Sequence, residues 1–174
     1  MQTCLDQPPT RHQLDIIARQ LGRTPRGIQA VTAVDGQGTP LALRMHSLVD
    51  DAPFPTLYWL TSERLKVEIS HLEAAGVIKS LEAHLKQDDA LLAAYWHSHE
   101  RYVHDRWHFM SAAERDRVHE LGFDKLFNER GVGGISNWHQ VRCLHTQYAH
   151  HLSAGNAIGE WIDQHYPEIA ASVA

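Results

Sequence analysis

The sequence predicts an α+β protein: a small N-terminal antiparallel three-stranded sheet packed with a mainly helical C-terminal two-thirds. Three observations point there. Between residues 27 and 61, short segments rich in β-formers are separated by the breakers DGQG and DDAPFP. From Ser62 onward, apolar residues recur at helical spacing behind capping residues. At 174 residues with 43% hydrophobic content, the chain suits one core of ordinary size, so residues 1–174 are read as a single domain.

The elements follow in order. In HQLDIIARQLG, Leu14, Ile17, Ala18 and Leu21 share a helical face, and Gly22 is a natural C-terminal stop. GIQAVTAV and PLALRMHSL form a hairpin across DGQG, and TLYWLT supplies a third strand, expected to be the most buried. Thr61 or Ser62 caps a helix carrying Leu65, Ile69 and Leu72, which Gly76 ends, and VIKSLEAHLK is the next. Asp88 caps the long DALLAAYWHSHERYVHDRWHF, whose inner stripe is Leu92, Tyr95, Trp96, His99, Tyr102, Val103 and Arg106. Ser111 and Glu114 form a capping box for SAAERDRVHELG. FDKLFNER and the glycine-rich GVGGIS lead to a helix expected from near Asn137 to Gly155, and Asn156 caps a last one before Pro167. There is no internal repeat.

The net charge of −5 argues against a broad electrostatic footprint for nucleic acid or an anionic membrane. MQTCLDQPPTRHQ has no apolar targeting core, and no run is long enough to cross a bilayer, so a cytoplasmic protein is expected. Its two cysteines, Cys4 and Cys143, are too few for a disulfide framework.

Histidine is the unusual component, with 14 in the chain, most of them between His84 and His165. Imidazole is the commonest metal ligand and titrates near neutrality. VRCLHTQYAHHLSAG concentrates the chemistry: on a regular helix His139, Cys143, Thr146 and His150 form one stripe, and His145 lies nearly opposite. Cys143, His150 and His139 are therefore candidate metal ligands, with thiolate and imidazole suiting a transition metal such as zinc and a further ligand needed from His99 or Cys4. The alternative makes His139 and His150 solvated or hydrogen-bonded and Cys143 a small core residue. On the long helix, Tyr95, His99, Tyr102 and Arg106 share a face suited to a pocket wall, or to a core in which His99 and Arg106 bond backbone. Gly133 and Gly134 of GVGGIS offer backbone amides ahead of a helix, where an anion can bind. Arg26, Arg106 and Arg142 are candidate anion contacts.

GRTPRGI, PFPTLYWLT followed by RL, LEAAG, GVGGI and VRCLHTQYAHHL together resemble the bacterial family named domain of unknown function 501, over residues 22–159. The resemblance places Arg26, Gly27, Pro53 to Thr61, Gly133, Gly134, Cys143, His145 and His150 on the family's motifs. It implies no established activity or cofactor. Cysteines that family members carry between the first two strands are absent from VDGQGTPLALRMHSL, so no metal role passes through them.

Three functions compete. In the first, an enzyme of hydrolase or transferase type, or a small-molecule binding protein, takes an anionic, for instance phosphorylated, ligand between the long helix and the histidine helix. There His99 or His145 is the acid or base, Tyr102 orients a polar group, and Arg106, Arg142 and the Gly133–Gly134 amides bind the anion; Cys143 becomes a nucleophile if a cation lowers its pKa. In the second, Cys143 and histidines bind a transition metal. In the third, the aromatic residues of YWHSHERYVHDRWHF form a partner surface.

Overall fold

A computed structural model describes residues 3–172. Strand β1 (Thr3–Gln7) and helix α1 (Arg11–Leu21) precede strands β2 (Ile28–Val34), β3 (Pro40–Met45), β4 (Leu48–Val49), β5 (Ala52–Pro53) and β6 (Tyr58–Leu60). Helices α2 (Glu63–Ala74), α3 (Val77–Leu85), α4 (Asp89–Phe109), α5 (Ala112–Glu120) and α6 (Asp124–Glu129) come next. A 3-10 turn at Val132–Gly134 leads to α7 (Leu144–Ala154), α8 (Ala157–His165) and α9 (Pro167–Ala171). The protein is α+β, with the strands N-terminal and the helices C-terminal, as the pattern predicts.

The main sheet is antiparallel in the order β1-β2-β3-β6. The β2–β3 hairpin closes on Asp35, whose Oδ1 accepts the N–H groups of Gln37 and Thr39 at 2.9 and 2.8 Å. That carboxylate does locally what an Asx turn requires. The sheet has a fourth strand beyond the expected three: β1 pairs with β2, Thr3 opposite Val34 and Cys4 opposite Ala33. β6 is correspondingly an edge strand, and the most buried strand is β3, all six of whose residues are buried. Only a strand flanked on both sides and covered on both faces loses its solvent this completely.

Helices cover both faces. Ile17 of α1 packs with Val31, Val34, Leu43 and Met45, joined by the half-buried Phe54 and Trp59. On the other side, Ala33, Tyr58 and Leu60 enter the larger core with Leu144, Tyr148 and Leu152 of α7. β6 thus alternates, Trp59 toward the α1 side and its neighbours Tyr58 and Leu60 toward α7, as a period of two demands.

β4 and β5 form a separate two-residue hairpin. Its tip is Asp50–Asp51, both at positive φ (52° and 61°), the pair of left-handed residues that a type I′ turn needs. Each carboxylate holds an arginine: Asp50 meets Arg26 at 2.7 Å, and Asp51 receives Arg117 at 2.9 and 2.6 Å.

The caps read from sequence form. Ser62, Asp88 and Asn156 accept the N–H groups of Leu65, Leu91 and Ile158. Ser111 caps α5, but the return half of the expected box is missing. Glu114 instead accepts the N–H groups of Ser47 and Leu48 at 3.0 and 3.1 Å, tying α5 to β4. The inner face of α4 is Tyr95, Ser98, His99, Tyr102 and Arg106, whereas Trp96 is 38% exposed. No described helix is long and apolar enough to cross a membrane.

Candidate metal centre

The stretch before α7 does not continue the helix backwards to Asn137 as its spacing suggests. Val141 gives its N–H to Glu82 Oε1 at 2.9 Å, and Leu144 gives its N–H to Glu73 Oε1 at 2.7 Å. Acceptors from α3 and α2 thus take the donors that an earlier helical turn would have used. Cys143 is the N-cap, extended at φ −148° and ψ 116°, and its carbonyl receives the Gln147 N–H and the Thr146 hydroxyl.

This start corrects the geometry expected of the histidine stripe. His139 lies outside the helix, exposed, with its ring against Trp96. His150 is fully buried, stacked on Tyr58, and its Nδ1 accepts from Asn156 Nδ2 at 3.0 Å. His139, Cys143 and His150 therefore do not converge. Cys4 lies at the other end of α7, its thiol toward the Ser153 carbonyl. Freed from the helical register, Cys143 instead turns toward His145, with Sγ 3.9 Å from Nδ1.

Glu73 completes the group. Its Oε1 lies 3.3 Å from the same His145 Nδ1, and one donor atom from each of Glu73, Cys143 and His145 lies within 4.8 Å of the others. Among the described residues this is the one cluster of its kind. The far edge of the ring is tied down: Nε2 is 3.1 Å from the Lys66 carbonyl and 3.2 Å from Ser70 Oγ. Ser70 already donates its own proton to that carbonyl at 2.7 Å, so both neighbours accept and Nε2 carries the hydrogen. The neutral ring then directs the Nδ1 lone pair at a thiol sulfur and a carboxylate oxygen. Three electron-rich atoms facing one another call for a cation between them, either a proton or a metal ion.

The electrostatics fit. The bond to Cys143 raises the His145 pKa, burial opposes it, and the Lys66 carbonyl and Glu73 add to the rise, taking it to about 9. Burial pushes the Cys143 thiol up, but His145 and the Thr146 backbone N–H outweigh it and leave the pKa below its ordinary value. A cysteine at a helix N-terminus beside an imidazole is the arrangement that favours thiolate. The side chains of His145 and Glu73 are 25% and 28% exposed, so the cluster is partly shielded by protein and partly open to solvent.

The remaining candidates are dispersed. His99 is fully buried, its Nδ1 accepting the Val132 N–H at 3.0 Å and its ring stacked on Trp138. Tyr102 accepts the Leu57 N–H at 2.6 Å. Arg106, also fully buried, donates to the carbonyls of Phe127 and Pro55 at 2.6 and 2.8 Å, with the rings of Tyr102 and Phe127 beside its guanidinium. The expected wall between the long helix and α7 is filled core, in which these polar groups serve the backbone. Arg142 is exposed. Gly133 approaches α7 closely: a Cβ there would stand 3.2 Å from Thr146 Oγ1, at φ +73°. Gly134 follows, also at positive φ, and its carbonyl receives Arg130. Arg26 lies in a different cleft, on the α1 side of the sheet.

A family model described as protein of unknown function (DUF501) matches residues 31–164. The chain belongs to this family. The DUF501 match contains Glu73, Cys143 and His145 and ends before α9, whereas Arg26 precedes it. No curated protein and no solved structure matches the chain.

Sequence reasoning found Cys143 and His145 but set them on opposite faces, and it missed Glu73 as a ligand. LEAAG contains that glutamate, yet no spacing within a helix links position 73 to 143. The only signal was chemical, a carboxylate on an otherwise amphipathic helix, and such residues are common.

Proposed function

We propose that this DUF501 protein binds a divalent transition metal, zinc by ligand type, through Glu73, Cys143 and His145. The observation that carries the reading is the convergence of sulfur, nitrogen and oxygen donors around His145 Nδ1, while Nε2–H is committed to the Lys66 carbonyl. A metal-bound histidine characteristically donates its other N–H to such a carbonyl, which fixes the tautomer and ring orientation. Spacings of 3.3 and 3.9 Å between donors also suit ligands arranged about one ion at ~2.0–2.3 Å. Three protein ligands in a half-exposed setting leave a position for water or a substrate oxygen, the feature that separates catalytic from closed structural zinc sites. A metal-activated hydrolysis or group transfer on an anionic substrate is the reaction class this arrangement supports.

A second reading takes the cation between the donors to be a proton, giving a Cys143 thiolate beside a His145 imidazolium. The opposed pKa shifts of the pair favour it. Against it, His145 presents the same nitrogen to both Cys143 and Glu73. A carboxylate on the nitrogen that faces the sulfur adds a third donor there, which a two-partner relay, with the Lys66 carbonyl orienting Nε2, does not use.

Elemental analysis of purified, untagged protein separates the two. The metal reading expects near-stoichiometric zinc or a related ion in the wild type, loss in Cys143→Ala and Glu73→Gln, and retention in His139→Ala. A wild type that stays metal-free after dialysis against zinc, and whose Cys143 is alkylated rapidly by iodoacetamide at neutral pH, would overturn it in favour of the thiolate pair.

A further inference from the structure

The arginine-bearing turn after α1 and the β4–β6 segment meet in a cleft of about 230 Å³ on the α1 side of the sheet. Its floor is aromatic: Trp59 and Phe54 lie 5.8 Å apart, their planes inclined at 58°. Val49 adds an aliphatic wall, and Arg23, Thr24 and Arg26 line the same cleft. Gly27 makes the approach possible, because a Cβ there would stand 2.5 Å from Val49 Cγ2. The guanidinium of Arg23 lies over Trp59, 5.4 Å from the ring centre and within cation–π range, so a cation already flanks the aromatic floor, and it has no carboxylate partner among the described residues. Arg26 is paired with Asp50, but the two side chains are 82% and 71% exposed, so the pair is readily exchanged for another anion.

We propose that this cleft is a second ligand site, independent of the metal centre, that takes a small anion carrying a planar ring. The ring covers Trp59 and Phe54, and its carboxylate or phosphate lies between Arg23 and Arg26, where guanidinium forks give charge-assisted bonds. The Thr24 hydroxyl supplies a neutral donor at the same rim. A bare inorganic anion would face two solvated arginines and gain little. A neutral ring would leave the excess positive charge unanswered. The volume lies below the ~300–1,000 Å³ of drug-sized pockets, which selects one ring over a fused or multi-ring ligand.

The test is an NMR titration of the ¹⁵N-labelled full chain, with the Trp59 indole resonance assigned through Trp59→Phe. Benzoate and phenyl phosphate are the probes, against benzamide for the charge and acetate for the ring. Saturable shifts of the Trp59 indole with one or both ring anions are expected, stronger than with benzamide or acetate. Arg23→Gln and Arg26→Gln, both at exposed positions, are expected to weaken binding on the order of tenfold. Whichever of benzoate and phenyl phosphate binds more tightly identifies carboxylate or phosphate as the charged group. Equal binding of benzamide, indifference to both arginine substitutions, or no saturable shift with either ring anion would overturn the proposal. Glu73→Gln should leave the titration unchanged, so failure of the metal centre and failure of this site are read separately.

Discussion

His99 and His150 each use Nδ1 as a hydrogen-bond acceptor, from the Val132 N–H and from Asn156 Nδ2 respectively. The Asn156 assignment is secure, because its Oδ1 already accepts the N–H groups of Ile158 and Gly159. Both rings must therefore carry their proton on Nε2, which in each is buried without a partner. Adding a second proton inside the core is costly, and burial depresses both pKa values from 6.5 to about 3. The sign of the linkage follows. Between about pH 6.5 and 3 the unfolded chain holds protons at these positions that the native chain does not, so stability falls as pH falls below 6.5. Each histidine contributes about 1.4 kcal/mol per pH unit within that window. Urea midpoints of the metal-free protein at pH 7, 6 and 5 should drop steeply over the last step, and His150→Leu should lessen the slope. A midpoint unchanged between pH 7 and 5 would rule this out.

Among the elements, α7 and α8 are held closest at Gly159, where a Cβ would stand 2.1 Å from His151 Cβ. The same contact sets His151 Nε2 2.8 Å from Asp163, whose other oxygen accepts the Tyr148 hydroxyl. Gly159→Ala must force the two helices apart, and we expect a loss of ~1–3 kcal/mol in chemical denaturation, with α-helix content retained. A fully neutral substitution would mean that α8 can slide without disturbing α7. What the sequence revealed at this scale depended on where the hydrogen-bond partner lay. Ser62, Asp88 and Asn156 cap helices through donors two or three residues ahead, so their roles are written locally. The start of α7 is set by Glu82 and Glu73, about sixty and seventy residues away, and no local pattern records those acceptors. The same displacement hid the Glu73–Cys143–His145 cluster: Cys143 and His145 look incompatible on a regular helix and converge because Cys143 is outside it. Arg106 and His99 misled in the opposite way, since an ionisable residue on an inner helical stripe looks the same whether it lines a pocket or bonds a buried carbonyl or amide.

For the molecule as a whole, the α+β division was legible because the hydrophobic period changes from two to about 3.6 near Ser62, but the sheet's width was not. TCLDQ is short, mostly polar, and joined to β2 across the whole of α1, so only the folded chain shows that it pairs. Its Asp6 carboxylate meets the largely buried Arg44, whose Nε also donates to Gln29 at 2.6 Å. A chain lacking residues 1–9 should therefore lose stability through an uncompensated arginine. Its tendency to self-associate should rise with concentration, as light scattering coupled to size exclusion would show. A deleted chain with the same association state and stability as the full chain would make β1 ornamental.

The reason lies in what β1 covers. With it in place, β2 has neighbours on both sides, and the sheet's far margin is the three-residue β6, too short to template another chain. Remove five residues and the seven-residue strand IQAVTAV, with four β-branched residues, is left unpaired along the edge that β1 covered. The N-terminal segment thus covers the edge of β2 at which edge-to-edge growth would be expected. A proteolytic cut before α1 that releases β1 is expected to leave that edge open to pairing with a second copy of the chain.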